Sequence, residues 1–492
     1  GQSWCTQRGL PRSVVLAYFL TSWAESFPLT AFTALLTDEL GMSLSTITTY
    51  YSISFLPWMW KPAFGWVSDS FPICGFHRIP YIIGSALGCA AAYLVFAISV
   101  RSAWEAFVVS LCLTSCSAFL QLMVCGFVVD IVRQDLDSSI AIQSAVNAAQ
   151  WLGTLLAQVM ALVLYAHSGD ATGTARIRAR SAIAMTSAAP ALVALLALFL
   201  PEEKSTNPSG GRNHRALTRE GVRFAATVAL LQGNLVLIGC QPLMASRVWW
   251  CCSVAVSLSV SAGLLGMAYL PGCCGRRAVW HTGITPILDA VGGTSQSPCW
   301  WFRLCTFCFA ANVIPKSSVA VGQFQYAAFT AEGYQALSII SSVASVSASL
   351  AFGRAFNRQG FRRVIALSAL VASVAALSPL PFAVASMHGG DTRQQLWSQA
   401  GALAVTASVL GAFASLFSLL PVDALVTSAS GCVSVDRSCT AFAAFLSCYS
   451  FGATVGGLAT APMLQALGLT GHEWTALPSW IAATAAARLL VL

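Results

Sequence analysis

Charge is scarce in this chain: only 9% of its 492 residues are charged, where soluble domains carry roughly 25%. Lysine is scarcer still, with three among the 26 basic residues. No Gly-x-x-x-x-Gly-Lys-Ser/Thr loop occurs, which excludes a built-in phosphate-binding ATPase site. The 17 cysteines lie mostly inside apolar runs and lack the paired spacing or histidine partners of a zinc site. Cys305 and Cys308 form one Cys-x-x-Cys, inside an apolar run where packing explains them. No cluster of nucleophile and base stands out, and no DNA-binding motif is present. Neither an enzyme nor a nucleic-acid partner is expected, and no metal or other cofactor is called for.

Apolar residues fill the space that charge leaves, at 57% of the chain with a mean hydropathy of +0.71. Runs of about twenty apolar residues recur, each long enough to cross a bilayer as a helix. The sequence predicts fourteen such spans, at 14–36, 45–67, 81–100, 106–129, 140–165, 182–200, 224–240, 248–270, 301–314 (lengthened to 329), 336–352, 364–382, 398–420, 441–467 and 474–492. The chain opens at Gly1 without a methionine and shows no signal peptide, so a processed or trimmed start is expected.

Arginines set the topology. Arg78, Arg133, Arg212, Arg215, Arg219, Arg223, Arg276, Arg277, Arg354, Arg358, Arg362, Arg363 and Arg437 fall on one side of the predicted spans, which is assigned as cytoplasmic. Arg176, Arg178 and Arg180 break the rule on the outer side. Cys273-Cys274 beside Arg276-Arg277 has the context of a palmitoylation site or is a pair of inert cysteines.

An internal repeat divides the chain. Residues 353–363 mirror 65–78, with Asn357 where Asp69 stood. Trp104 and Asp130 are 26 residues apart, as are Trp397 and Asp423. The expected organisation is a six-helix half over 1–200, a linker over 201–298 holding two inserted helices, and a second six-helix half over 299–492. Such a core of twelve transmembrane helices in two pseudo-symmetric halves is an all-α bundle of major-facilitator type.

The stretch from Leu56 to Tyr81 joins two apolar runs and carries charge at a membrane edge. Gly65 allows close helix approach, and Pro72 and Gly75 mark a tight reversal. Asp69 and Arg78 are thereby expected to face each other, a latch that one transporter state makes and another breaks. The string Pro57-Trp58-x-x-Lys61-Pro62, Gly65-x-x-Ser68-Asp69-Ser70-x-Pro72, Gly75-x-x-Arg78 and Tyr81 resembles the folate–biopterin transporter family of the major facilitator superfamily. Cys125-Gly126 to Asp130 and Arg133 is similar to that family's Asp-x-x-x-Asp segment, with Gly126 in place of the first acid. Gln143-Ser144 followed by Trp151-Leu152-Gly153, and Thr440-Ala441-Phe442-Ala443, resemble further runs of the family, with Ser438 where a glutamate belongs. The resemblance implies uptake of folate or pterin.

Candidate ligand contacts come from polar groups at membrane depth. Glu25 lies mid-span, where a carboxylate costs roughly 3 kcal/mol or more and needs a wet cavity or a partner. It either takes a coupling proton or binds the ligand, or else packs as a neutral acid. Lys61 attracts an anionic substrate or snorkels to the interface. Gln143, Asn147, Gln150 and Gln158 share roughly one face of a helix, with Trp151 beside them to stack on a flat ring. They meet either the ligand or neighbouring helices. In the second half Asn312, Gln323, Gln325 and Tyr326 flank Pro315 in a broken segment, of the sort that exposes backbone to substrate; a surface loop explains them equally well. Gly65, Asp69, Arg78, Asp130, Arg133 and Asp423 are assigned to the gates. The expected function is transport of folate or a pterin by alternating access, coupled to protons, in the plasma membrane or an organellar membrane. Another small anion or amino acid as cargo, or a receptor or scaffold without transport, are the alternatives.

Overall fold

A computed structural model of the chain describes residues 11–42, 44–134, 139–166, 179–200, 234, 256, 259, 298–314, 317–329, 331–356, 361–387, 393–431, 438–469 and 474–490. Nearly all of these are helical. In the first half α1 (Arg12–Ser26) and α2 (Leu29–Ala34) are followed by α3 (Leu44–Ser54), α4 (Lys61–Ser70), α5 (Ile79–Ser99), α6 (Ala103–Gln134), α7 (Ser139–Ala166), α8 (Ala179–Thr186) and α9 (Ala188–Leu196). The second half holds α10 (Pro298–Val313), α11 (Ser318–Ala328), α12 (Ala331–Phe356), α13 (Phe361–Ala375), α14 (Pro379–Met387), α15 (Arg393–Gly431), α16 (Ser438–Ala466) and α17 (Leu477–Leu490).

Eight crossings are single stretches long and apolar enough to span a bilayer. These are α5, α6, α7, α8 with α9, α12, α13 with α14, α15, and α16. Four more complete a core of twelve, and three of them are visibly broken. Proline breaks two: Pro28 has no N–H to give and separates α1 from α2, and Pro57 sits in a 3-10 turn, Leu56–Trp60, that leads from α3 into α4. Crossing 7 is α10 and α11 with an interruption after Val313, where the sequence predicts a broken segment. Crossing 12 is α17. The expected inserted spans at 224–240 and 248–270 lie outside the described residues but for isolated positions, as do Cys273, Cys274 and Asn357.

The turn between α4 and α5 is the predicted reversal. Ile73 and Phe76 exchange backbone hydrogen bonds of 3.0 Å each, with Cys74 and Gly75 both at positive φ between them. Arg180, one of the exceptions to the arginine rule, donates through Nε to Glu39 at 2.9 Å and through Nη1 to the carbonyl of Ala97 at 3.3 Å. It closes a helix end instead of marking a cytoplasmic loop.

The two halves repeat in their packing. A Cβ at Gly153 of α7 would collide with the backbone carbonyl of Phe19 on α1, and a Cβ at Gly452 of α16 with that of Phe309 on α10. Both glycines stand fourteen residues after their helices begin, so crossings 1 and 5 approach as closely as crossings 7 and 11 do. The largest apolar cluster runs through both halves, from Val14 and Tyr18 through Leu122 and Val128 to Val426 and Phe442.

Candidate functional site

A cavity of about 580 Å³ lies between the halves, within the range of small-molecule sites. Crossings 1, 2, 4 and 5 supply one wall through Tyr18, Tyr51, Trp58, Lys61, Gln121 and the polar face of α7. Crossings 7, 10 and 11 supply the other, through Asn312, Asp423, Phe442 and Tyr449.

Lys61 opens α4 just after the 3-10 turn, and that turn sets its direction. Its ammonium donates to Oε1 of Gln121 at 3.1 Å and stands 4.0 Å above the ring of Trp58, an attraction that strengthens where water is excluded. Lys61 and Asp423 line the same cavity, one titratable group from each half.

Three of the α7 residues, Gln143, Asn147 and Gln150, line the cavity as a stripe. Gln143 also reaches across to the second half, where its Nε2 donates to Thr427 Oγ1 at 2.5 Å. Asn312 is buried, and its Nδ2 donates to the carbonyl of Tyr449 at 3.1 Å. Its Oδ1 has no hydrogen-bond partner among the described residues.

Three residues read as possible ligand contacts stand elsewhere. Trp151 packs with Ala348, Phe352 and Leu416 of the second half rather than in the cavity. At about 100° per residue it is roughly 80° around the helix from Gln143, which turns it towards α12. Gln158 faces the same way and accepts from Ser342 at 2.7 Å. Glu25 lies in a separate small recess among Cys89, Tyr93, Ser117 and Val193, where Ser117 Oγ donates to its carboxylate at 2.6 Å.

At the arginine-rich end Asp69 and Arg78 stay within electrostatic reach of each other, and each also bonds to a further residue. Arg78 forms its ion pair with Asp130 and passes over the ring of Phe127. Gly126 makes that path available, since a Cβ there would lie 2.7 Å from Arg78 Nε. Asp69 instead crosses to the second half, accepting from the backbone N–H of Thr440 at 3.0 Å and from its hydroxyl at 2.6 Å. It caps the start of α16, where a carboxylate is favoured. Gly65 lies against the same place, its Cβ position 3.0 Å from Thr440 Cα. Arg133 is half-buried in the last helical turns of α6. Asp423, assigned from sequence to a gate, lines the cavity.

The opposite end has its own contact between halves. Gln335 of α12 accepts from Thr30 at 3.0 Å and donates to the carbonyl of Gln158 at 3.1 Å. Gln121, Thr427 and Gln335 gave no signal in sequence, and Thr440 entered only as part of a family-like run, because each gains meaning only from a partner on another helix.

The sequence model of the BT1 family matches residues 22–492. A relative in Arabidopsis thaliana, "Probable folate-biopterin transporter 4", is 37% identical over 89 residues, 18% of each chain. The "Folate-biopterin transporter" of Synechocystis sp. (strain ATCC 27184 / PCC 6803 / Kazusa) is 30% identical over 116 residues, 24% of this chain and 23% of that one. The matched segments thus span about a quarter or less of these curated relatives. Among solved structures, the major facilitator proton:xylose symporter XylE of E. coli superposes with a TM-score of 0.58 at 13% identity, covering 98% of this chain and 94% of that one. That likeness concerns the fold.

Proposed function

The chain belongs to the BT1 family, and from that premise we propose that it carries folate or a pterin across a membrane by alternating access, coupled to protons. Family and fold are those of multi-pass integral membrane transporters rather than enzymes. One observation carries the reading furthest. The cavity is shared by both halves, and the halves meet at either end through small sets of polar contacts, Asp69 with Thr440 and Gln335 with Thr30. Such contacts can be exchanged when two rigid halves rock about a central site.

In this mechanism the cargo enters the cavity and lies among Lys61, Gln143, Asn147 and Asn312. Aromatic walls from Tyr51, Trp58 and Phe442 suit a flat ring. Lys61, with three donors, draws an acceptor edge or a carboxylate tail. Loading of the cavity precedes release of one end contact and closure of the other. Glu25, apart from the cavity and held by Ser117, takes the coupling proton. The relatives named as folate-biopterin transporters support the choice of cargo.

Uptake of labelled folate and biopterin into cells expressing the chain tests the reading, with Glu25→Gln compared at two external pH values. Saturable uptake that rises in acid and loses that rise in Glu25→Gln is expected. A surface-expressed protein that takes up neither compound would remove the proposed cargo, and competition by other organic anions or amino acids would then redirect the search.

A further inference from the structure

The cavity has more than a place for a flat ring; its polar atoms have a direction. On the side of the second half stand Asp423 and Asn312, both lining the cavity, and the buried Asn312 Oδ1 has no hydrogen-bond partner among the described residues. Asn312 is 4% exposed, and its donor end is already committed to the Tyr449 carbonyl, so its orientation leaves the acceptor outstanding. Asp423 interacts electrostatically with Cys308, one turn before Asn312 on α10. Both residues line the same cavity. Facing them from the first half are Lys61 and Gln121. A buried acceptor without a donor is costly, and a cavity presenting acceptors on one wall and a cation on the other selects a ligand with the matching polarity.

We propose that Asp423 and Asn312 Oδ1 form a donor-reading edge that recognises a 2-amino-4-oxo heterocycle through its amino group and adjacent ring N–H. An ionised carboxylate is acceptor-only, and its two oxygens match two parallel N–H groups on one ring edge, as in carboxylate recognition of a base amino group. Asn312 Oδ1 takes the remaining amino hydrogen. The opposite edge of such a ring carries acceptors, which turn towards Lys61. Asp423 thus becomes a specificity-determining residue that reads the ring, and Lys61 fixes which way round the ring lies. The inference rests on the reading above that the cargo is a pterin or a folate.

The test uses the full chain in detergent or nanodiscs, with labelled biopterin displaced by pterin (2-amino-4-oxo) or lumazine (2,4-dioxo). These competitors differ along one edge: the amino donor of pterin is an oxygen acceptor in lumazine, and ring N1, an acceptor in pterin, carries a hydrogen in lumazine. A charge-assisted hydrogen bond lost to a buried carboxylate amounts to roughly 10- to 100-fold in affinity, so pterin is expected to outcompete lumazine by that factor. In Asp423→Asn the amide can turn a donor to the lumazine oxygen, and the preference is expected to shrink to a few-fold. Equal competition by the two compounds in the unaltered protein overturns the proposal while leaving the pterin-carrier reading intact. So does an undiminished preference in a folded Asp423→Asn protein. Absence of any biopterin binding to the folded chain overturns both. The comparison in the unaltered protein decides the matter even where the variant fails to fold.

Discussion

Asp69 near the end of α4 accepts two hydrogen bonds from Thr440, one from its backbone N–H at 3.0 Å and one from its hydroxyl at 2.6 Å, across 371 positions of sequence. The contact joins the two halves at the arginine-rich end. It uses the positive end of a helix, so part of its strength comes from backbone groups that no substitution at Thr440 removes.

Asp69→Asn is expected to loosen that end. A hydrogen bond to a charged group contributes about 1.5–3 kcal/mol, enough to shift a two-state ratio roughly 10- to 100-fold. Single cysteines placed on the arginine-rich side of the cavity should react faster with a soluble thiol reagent in the variant. Thr440→Val should move reactivity the same way by less, since the backbone bond survives.

Gln335→Leu is expected to act in the opposite sense. The change removes its bonds with Thr30 and with the carbonyl of Gln158, so cysteines on the outer side of the cavity should become more reactive. Equal reactivity in both variants would argue that the two ends do not exchange.

Asp130→Asn leaves the buried Arg78 with a weaker partner. Removing one member of a buried pair costs 3–5 kcal/mol, but Asp130 is part-exposed, so about 2 kcal/mol is a fitting expectation. A fall in unfolding temperature of the purified protein checks this. Gly126→Ala should lower it as well, by about 1 kcal/mol of overpacking, because the added methyl meets Arg78.

Lys61→Met retains length and apolar contact while removing the charge held by Gln121 and Trp58. Uptake of folate is expected to fall at least about tenfold, chiefly through a raised KM, since one charge-assisted contact is lost. Unfolding temperature should hold or rise, because the desolvation cost of the buried ammonium disappears with it.

The helical class, the twelve-crossing core and the turn at 71–76 were legible in sequence, since bilayer thickness, proline chemistry and arginine placement each act locally. Lys61, Gln143, Asn147 and Asn312 were legible as candidate ligand contacts, each with a non-ligand alternative beside it, and all four line the cavity. Rotation about a helix axis was harder to read. Trp151, next to Gln150 in sequence, turns to α12, and Glu25 turns to α5 and α6. Asp423 and Asp130 occupy matching places in the repeat, yet Asp130 meets Arg78 and Asp423 meets the cavity. Thr440 could not be matched to Asp69 without knowing that Gly65 brings α4 against the start of α16.

The most direct test of carrier function is counterflow of labelled biopterin in liposomes containing only this chain. Vesicles preloaded with unlabelled biopterin should accumulate the label transiently above equilibrium, and Lys61→Met should flatten that overshoot. Label that only equilibrates, or never enters, in vesicles whose protein is folded and inserted would contradict transport of this cargo by alternating access.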